Sequence, residues 1–149
     1  RILDQSRFTN DEPNFFFNID DRPVLKGGGM RTGADGIALS GNKQTLYWTN
    51  LTGNHLYSLP TELLRAFDTN ETVIENAVDV AAVLPSNTDG MTADNAGNIY
   101  VYDDVQGIIK VYPGGTTTGD VVDIISSADI DAARGFIENK QLRLCREAF

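Results

Sequence analysis

An all-β fold built from a repeated antiparallel meander is the class this sequence predicts, and three observations predict it. β-branched and aromatic residues gather in runs of about five, the length of strands rather than helices. Gly, Asn, Asp and Pro separate these runs at short intervals, which marks tight turns. The order Asp-Gly, apolar strand, turn, aromatic strand occurs at Asp35 and again at Asp89, and the two copies align without a gap through the second strand. An internal repeat decides architecture more firmly than local propensity does. Each copy supplies three or four strands with one face left bare, so neighbouring copies must pack side by side around an axis. The expected architecture is a partial β-propeller with short helical insertions.

The elements follow in order. The first thirty residues read as irregular: Asp11-Glu12-Pro13-Asn14, the apolar run Phe15-Phe16-Phe17, Asp20-Asp21-Arg22-Pro23, and then Gly27-Gly28-Gly29. Turn residues dominate here. No Lys-Ser or Lys-Thr follows the three glycines, so they read as a flexible turn and not as a phosphate loop. The first repeat unit, about 35–60, has strands at Asp35–Ser40, Thr45–Thr49 and His55–Leu59, with a turn at Gly41–Lys43. Thr61–Phe67 reads as a short surface helix begun at Pro60, with Thr61 as its cap. The second unit, about 89–113, has strands at Asp89–Asp94, Asn98–Tyr102 and Gly107–Tyr112, with a turn at Asn95–Gly97. Residues 126–149 are atypical. Ser126-Ser127-Ala128-Asp129 fits a capping box for a helix ending near Arg134 and Gly135, and Gln141–Cys145 alternates as a strand does.

Composition narrows the function. With 149 residues, 41% hydrophobic and 22% charged, the chain has the makings of one globular domain, 1–149. A net charge of -9 is the wrong sign for gripping a phosphate backbone, so nucleic acid is not an expected partner. No apolar stretch reaches the roughly 20 residues of a spanning helix, so no membrane partner is expected either. Cys145 is the sole cysteine, which excludes an internal disulfide and a Cys-rich zinc site and reads as a buried thiol. The sequons Asn50-Leu51-Thr52 and Asn70-Glu71-Thr72 point to a secretory route, with Asn50 and Asn70 as glycosylation acceptors.

Several phrases, taken in combination and order, resemble the yellow/major royal jelly protein family. They are Arg1-Ile2-Leu3-Asp4, Glu12-Pro13-Asn14-Phe15, Gly33-Ala34-Asp35-Gly36-Ile37-Ala38-Leu39-Ser40, Thr45-Leu46-Tyr47-Trp48, Leu56-Tyr57-Ser58-Leu59-Pro60-Thr61 with Leu64-Arg65, and Ser86-Asn87-Thr88-Asp89-Gly90-Met91. The resemblance covers residues 1 to 112. It implies a six-bladed propeller in a secreted (extracellular) protein whose channel holds a small amine or aromatic ligand. Beyond Thr116 the family would continue through a Trp-Pro-Asp phrase, where this chain has Ala132-Ala133-Arg134-Gly135-Phe136. At about 50 residues per blade the chain amounts to about three blades of six, whereas closed rings need 4 to 8 blades. The remaining blades are expected from a longer chain or from a second chain, because open strand edges invite aggregation. The chain alone is therefore not expected to be an enzyme.

Asp35 and Asp89 hold the same place in the two repeats, at the start of an inner strand. Two carboxylates converging on a propeller axis suit a hard cation with oxygen ligands, Ca²⁺ or another divalent ion. The gluconolactonase/senescence-marker propellers, distantly similar, hold a divalent metal with an Asn before Gly, an Asp before Gly and a Glu. By that likeness Asp89 matches the metal ligand and base, Asp35 matches the Asn position, and no residue here matches the Glu. The alternative is that each Asp caps a turn within its own blade. His55, the sole histidine, has no nucleophile-elbow Ser near it and reads as a partly exposed turn residue. The rings of Tyr47, Trp48, Tyr57, Tyr100, Tyr102 and Tyr112 are expected between blades, with one or two lining a pocket. Three functions remain open: a ligand-binding module, a divalent-metal-dependent lactonase-like hydrolase with Asp89 as its catalytic residue, and a structural or nutritive secreted protein.

Overall fold

A computed structural model describes residues 3, 6–19, 21–24, 31–103, 108–112 and 122–126. The chain enters through a hairpin of β1 (Phe17–Ile19) and β2 (Arg22–Val24), joined at Asp21 with φ 59. This corrects the irregular reading of the first thirty residues. Pro23 is tolerated because a two-stranded ribbon leaves its nitrogen on a free edge.

Two four-stranded sheets follow. The first contains β3 (Ala34–Leu39), β4 (Thr45–Asn50), β5 (His55–Pro60) and β6 (Asp79–Val83); the second contains β7 (Met91–Ala93), β8 (Ile99–Asp103), β9 (Ile108–Tyr112) and β10 (Val122–Ser126). In both, sequence order is spatial order and neighbours run antiparallel. The opening strands β3 and β7 lie against each other. Successive meanders with adjacent first strands are the blades of a propeller, so the all-β, partial-propeller expectation stands. Among the described residues there are two such sheets, and each gains a fourth strand that the repeat alignment did not include.

The repeat shows in the turns. Lys43 (φ 61) and Gly97 (φ 92) stand at equivalent places and both adopt left-handed backbone. A Cβ on Gly41 would lie 2.6 Å from the Asn95 carbonyl oxygen, so the two turns touch and this position requires glycine.

The long connection in the first sheet carries α1 (Thr61–Arg65) and α2 (Glu71–Asn76). The expected helix ends two residues early. Its N-cap is Pro60, and the Thr61 hydroxyl donates to the Lys43 carbonyl at 2.8 Å rather than capping the helix. α2 was not anticipated; its cap is Asn70, whose side-chain oxygen accepts from the Thr72 amide at 2.8 Å. Ser126 is the last residue of β10. Gly27–Gly29, the rest of the expected helix to Gly135, the strand at Gln141–Cys145 and the Cys145 thiol lie outside the described residues.

Alternation on the strands produces two cores. Tyr47, Leu56 and Ala82 of the first sheet meet Ile99, Val101 and Tyr112 of the second. On its other face the first sheet buries Trp48, Tyr57 and Leu59 beneath Leu3, Phe8 and Ile74. Each large side chain so buried contributes about 1.5–3 kcal/mol. The N-terminal strap, residues 6–12, is tied down by polar bonds. The Trp48 indole Nε1 donates to the Phe8 carbonyl at 2.8 Å, the Asn50 amide donates to the Asn10 carbonyl at 2.8 Å, and the Ala34 amide donates to the Thr9 carbonyl at 2.8 Å. No helix among the described residues is long and apolar enough to cross a membrane.

Candidate functional site

Asp35 is the second residue of β3, and Asp89 precedes β7 by two residues. Each is positioned by its own strand entry. The β3–β4 register breaks between Ala34 and Ile37, which turns Asp35 out of the ladder. Asn87 and Thr88 are buried, and the Thr88 hydroxyl donates to the Gly90 carbonyl at 2.9 Å, closing a tight turn under Asp89. A Cβ on Gly36 would stand 2.8 Å from the Thr49 hydroxyl, so glycine there lets the strands approach. The result brings the two acids together. Asp35 shares a hydrogen bond with Asp89, and its carboxyl is pushed up from the ordinary value by loss of water, then by that bond and by the neighbouring negative charge.

Beside Asp35 opens a cavity of about 230 Å³ lined by Asp35, Ile37, Leu46, Trp48, Leu59 and Leu64 among others. Its side-chain walls are mostly hydrocarbon, with Asp35 and Thr9 as the polar lining residues. Ile37 and Trp48 pair across β3 and β4, so this cross-strand pair lies on the cavity side of the sheet and is apolar by the period-two rule.

A second constellation lies at the start of β5. Glu12 is buried and accepts from the Asn54 amide at 3.1 Å, the His55 amide at 3.1 Å and the Tyr57 hydroxyl at 3.1 Å; its Oε2 also lies 2.7 Å from the His55 ring Nδ1. Burial first, and the Glu12 carboxylate second, hold the Tyr57 hydroxyl well above its usual range. A Cβ on Gly53 would come within 2.5 Å of the Glu12 carboxyl, so the loop is shaped around that acid. The rings of His55 and Trp48 stack on Tyr57 from 5.8 and 5.5 Å. His55 is thus a bonded strand residue, which corrects its reading as a turn residue. Glu12 escaped sequence reasoning because Glu-Pro in a polar stretch signals a turn. The local signal that pointed to it is Gly53-Asn54, a loop bare enough to admit a side chain from elsewhere.

The sequons separate. Asn50 is fully buried and its Nδ2 is spent on Asn10, so the expectation of a glycan there is corrected: a sugar on that nitrogen is incompatible with this packing. Asn70 is exposed.

Among the described residues no three His, Cys, Asp or Glu side chains converge as a metal group. The Asp35–Asp89 pair fits a hard divalent cation in the kind of donor it offers, carboxylate oxygen. No family profile and no curated protein sequence matches the chain. Solved structures resemble it at low identity. A gluconolactonase from Xanthomonas campestris is 17% identical over 64% of this chain and 28% of its own, with a TM-score of 0.45. Regucalcin, a calcium-binding protein from Agrobacterium tumefaciens, is 18% identical over 66% and 34%, with a TM-score of 0.44. A luciferin-regenerating enzyme is 16% identical over 70% and 34%, with a TM-score of 0.47. The chain spans about a third or less of each of these structures.

Proposed function

We propose that the chain forms part of the wall of a divalent-cation site and serves a lactonase-like hydrolase, the Asp35–Asp89 pair lying at the reacting end. The observation that carries this reading is the packing of β3 against β7, which brings Asp35 and Asp89, two acids from equivalent positions of successive sheets, to one place. A bound divalent cation supplies positive charge that polarises a carbonyl oxygen and lowers the pKa of water. Asp35 would hold the cation through its carboxylate oxygens. Asp89 accepts a proton from the attacking water at a carboxylate oxygen as the water oxygen bonds to the carbonyl carbon, and returns it to the ring oxygen as the ester C–O bond breaks. The product is a hydroxy acid. Further ligands come from the remaining blades, in a longer chain or a second chain. Calorimetric titration with Ca²⁺ beside a lactone-hydrolysis assay tests this reading. Cation binding and hydrolysis lost together in Asp89→Ala support it, and hydrolysis untouched by Asp89→Ala rejects it.

A second reading, a secreted propeller that binds an amine or aromatic ligand, is favoured by one observation: a carboxyl stands at the end of an apolar cavity containing Trp48. That combination pairs an ammonium with a ring. The resemblance to the yellow/major royal jelly phrases points the same way, as does the exposed Asn70 sequon, which a glycosidase shift of secreted protein would test.

A further inference from the structure

We infer that the cavity beside Asp35 takes the apolar substituent of a lactone, so that the substrates are lactones bearing an alkyl chain or aromatic ring rather than polyhydroxylated sugar lactones. This inference rests on the reading of Asp35 and Asp89 as the hydrolytic end. Asp35 belongs to both features: it bonds Asp89 and it lines the cavity. A carbonyl held at the acid pair therefore has this cavity beside it, with Trp48 buried in its wall. The walls there are Leu46, Leu59 and Leu64. Sugar hydroxyls placed against them would lose water and find no partner, which is unfavourable for each group buried. Methylenes gain about fourfold in affinity each on the same transfer. Size agrees with this. An apolar cavity of roughly 150 Å³ admits a benzene ring, so about 230 Å³ holds a phenyl group with a short tether or a medium alkyl tail.

Trp48 is the only tryptophan in the chain and it lines the cavity, which gives a reporter independent of catalysis. The experiment titrates the 149-residue chain with γ-nonalactone, γ-butyrolactone, gluconolactone and phenethylamine while recording Trp48 emission, and assays hydrolysis of the three lactones, with Ca²⁺ present, by the protein completed with its remaining blades. The expected result is a saturable emission change with γ-nonalactone, binding on the order of 10³-fold tighter than γ-butyrolactone, and no change with gluconolactone. Leu64→Phe, which fills the cavity, should reduce the preference for γ-nonalactone over γ-butyrolactone at least tenfold. No emission change with γ-nonalactone, or equal changes with γ-nonalactone and gluconolactone, overturns the inference, as does a response to phenethylamine alone. The two readings fail separately. Binding of γ-nonalactone to the chain, with no lactone hydrolysed once the remaining blades are present, keeps the cavity assignment and removes the hydrolase. Hydrolysis of γ-nonalactone and gluconolactone at equal kcat/KM, with Trp48 silent, keeps the hydrolase and removes the cavity assignment.

Discussion

Trp48 and Tyr102 occupy the same position of the two repeats, on the second strand and on equivalent faces, yet Trp48 is 4% exposed and Tyr102 is 42% exposed. The strands around them are alike. What differs is the cover: the strap at 6–12 crosses the first sheet, and Phe8 receives the indole N–H. Burial in this fold is therefore decided by what lies across a sheet as much as by the strand itself. The same contrast separates the two acids of the inner strands. Asp35, at one end, is pushed up by lost water and by Asp89. Asp94, in the turn at the other end of the second sheet, is lowered by the Asn98 side-chain amide first and the Asn98 backbone N–H second.

Truncation should break the contrast between the two rings most visibly. Trp48→Ala is expected to cost about 3–5 kcal/mol in chemical denaturation, the range for emptying a buried aromatic site, and Tyr102→Ala under about 1 kcal/mol. Equal losses would mean that the strap adds nothing to the first sheet. Glu12→Ala comes next, because it leaves the Tyr57 hydroxyl and two amides without an acceptor. A loss of about 2–3 kcal/mol is expected, with earlier proteolytic cleavage within 6–12; a strap that stays protected would refute its anchoring by Glu12. The turns sharpen the comparison at a smaller scale. Lys43→Gly should stabilise by up to about 1 kcal/mol by removing a side chain from left-handed backbone, and Gly97→Ala should destabilise by about 1 kcal/mol, both read as melting shifts.

The smallest effects concern pH and have opposite signs. Asp35 holds its proton more tightly in the fold, so its contribution is present at low pH and is lost as pH rises through its raised value. Asp94 contributes above the ordinary carboxylate range and loses that contribution as pH falls. In chelator, Asp35→Asn should flatten the first dependence and leave the second. Ca²⁺ should bind more tightly as pH rises through the same Asp35 window, since the ion takes the ionised carboxylate. A cation affinity independent of pH there would separate the acid pair from the cation.

Much of the fold was legible because Asp35–Thr49 and Asp89–Asp103 repeat the same spacing of turn and strand, and spacing is a local property. The meeting of Asp35 with Asp89 followed from that repeat once the first strands were taken as neighbours. Glu12 was not legible, since its partners lie 42 to 45 residues away and a buried acid leaves no periodic trace. Asn50 misled for the same reason. A sequon is read over three residues, whereas burial of its amide depends on Asn10, 40 residues distant. The helix α2 was missed because its apolar contact, Ile74 against the first sheet, is tertiary, while Glu71-Thr72-Val73 has modest helix propensity.

The burial of Asn50 also sets a race during synthesis. In a compartment where sugars are transferred to nascent chains, the enzyme meets Asn50 before the Asn10 carbonyl has closed on it, and one nitrogen has two mutually exclusive fates. A molecule glycosylated there would be barred from completing the first sheet, so the yield of native protein would depend on the clock of strap closure relative to transfer. Slowing that closure should divert chains to a heavier, non-native species, and Asn50→Gln would remove the diversion at the expense of the bond to Asn10.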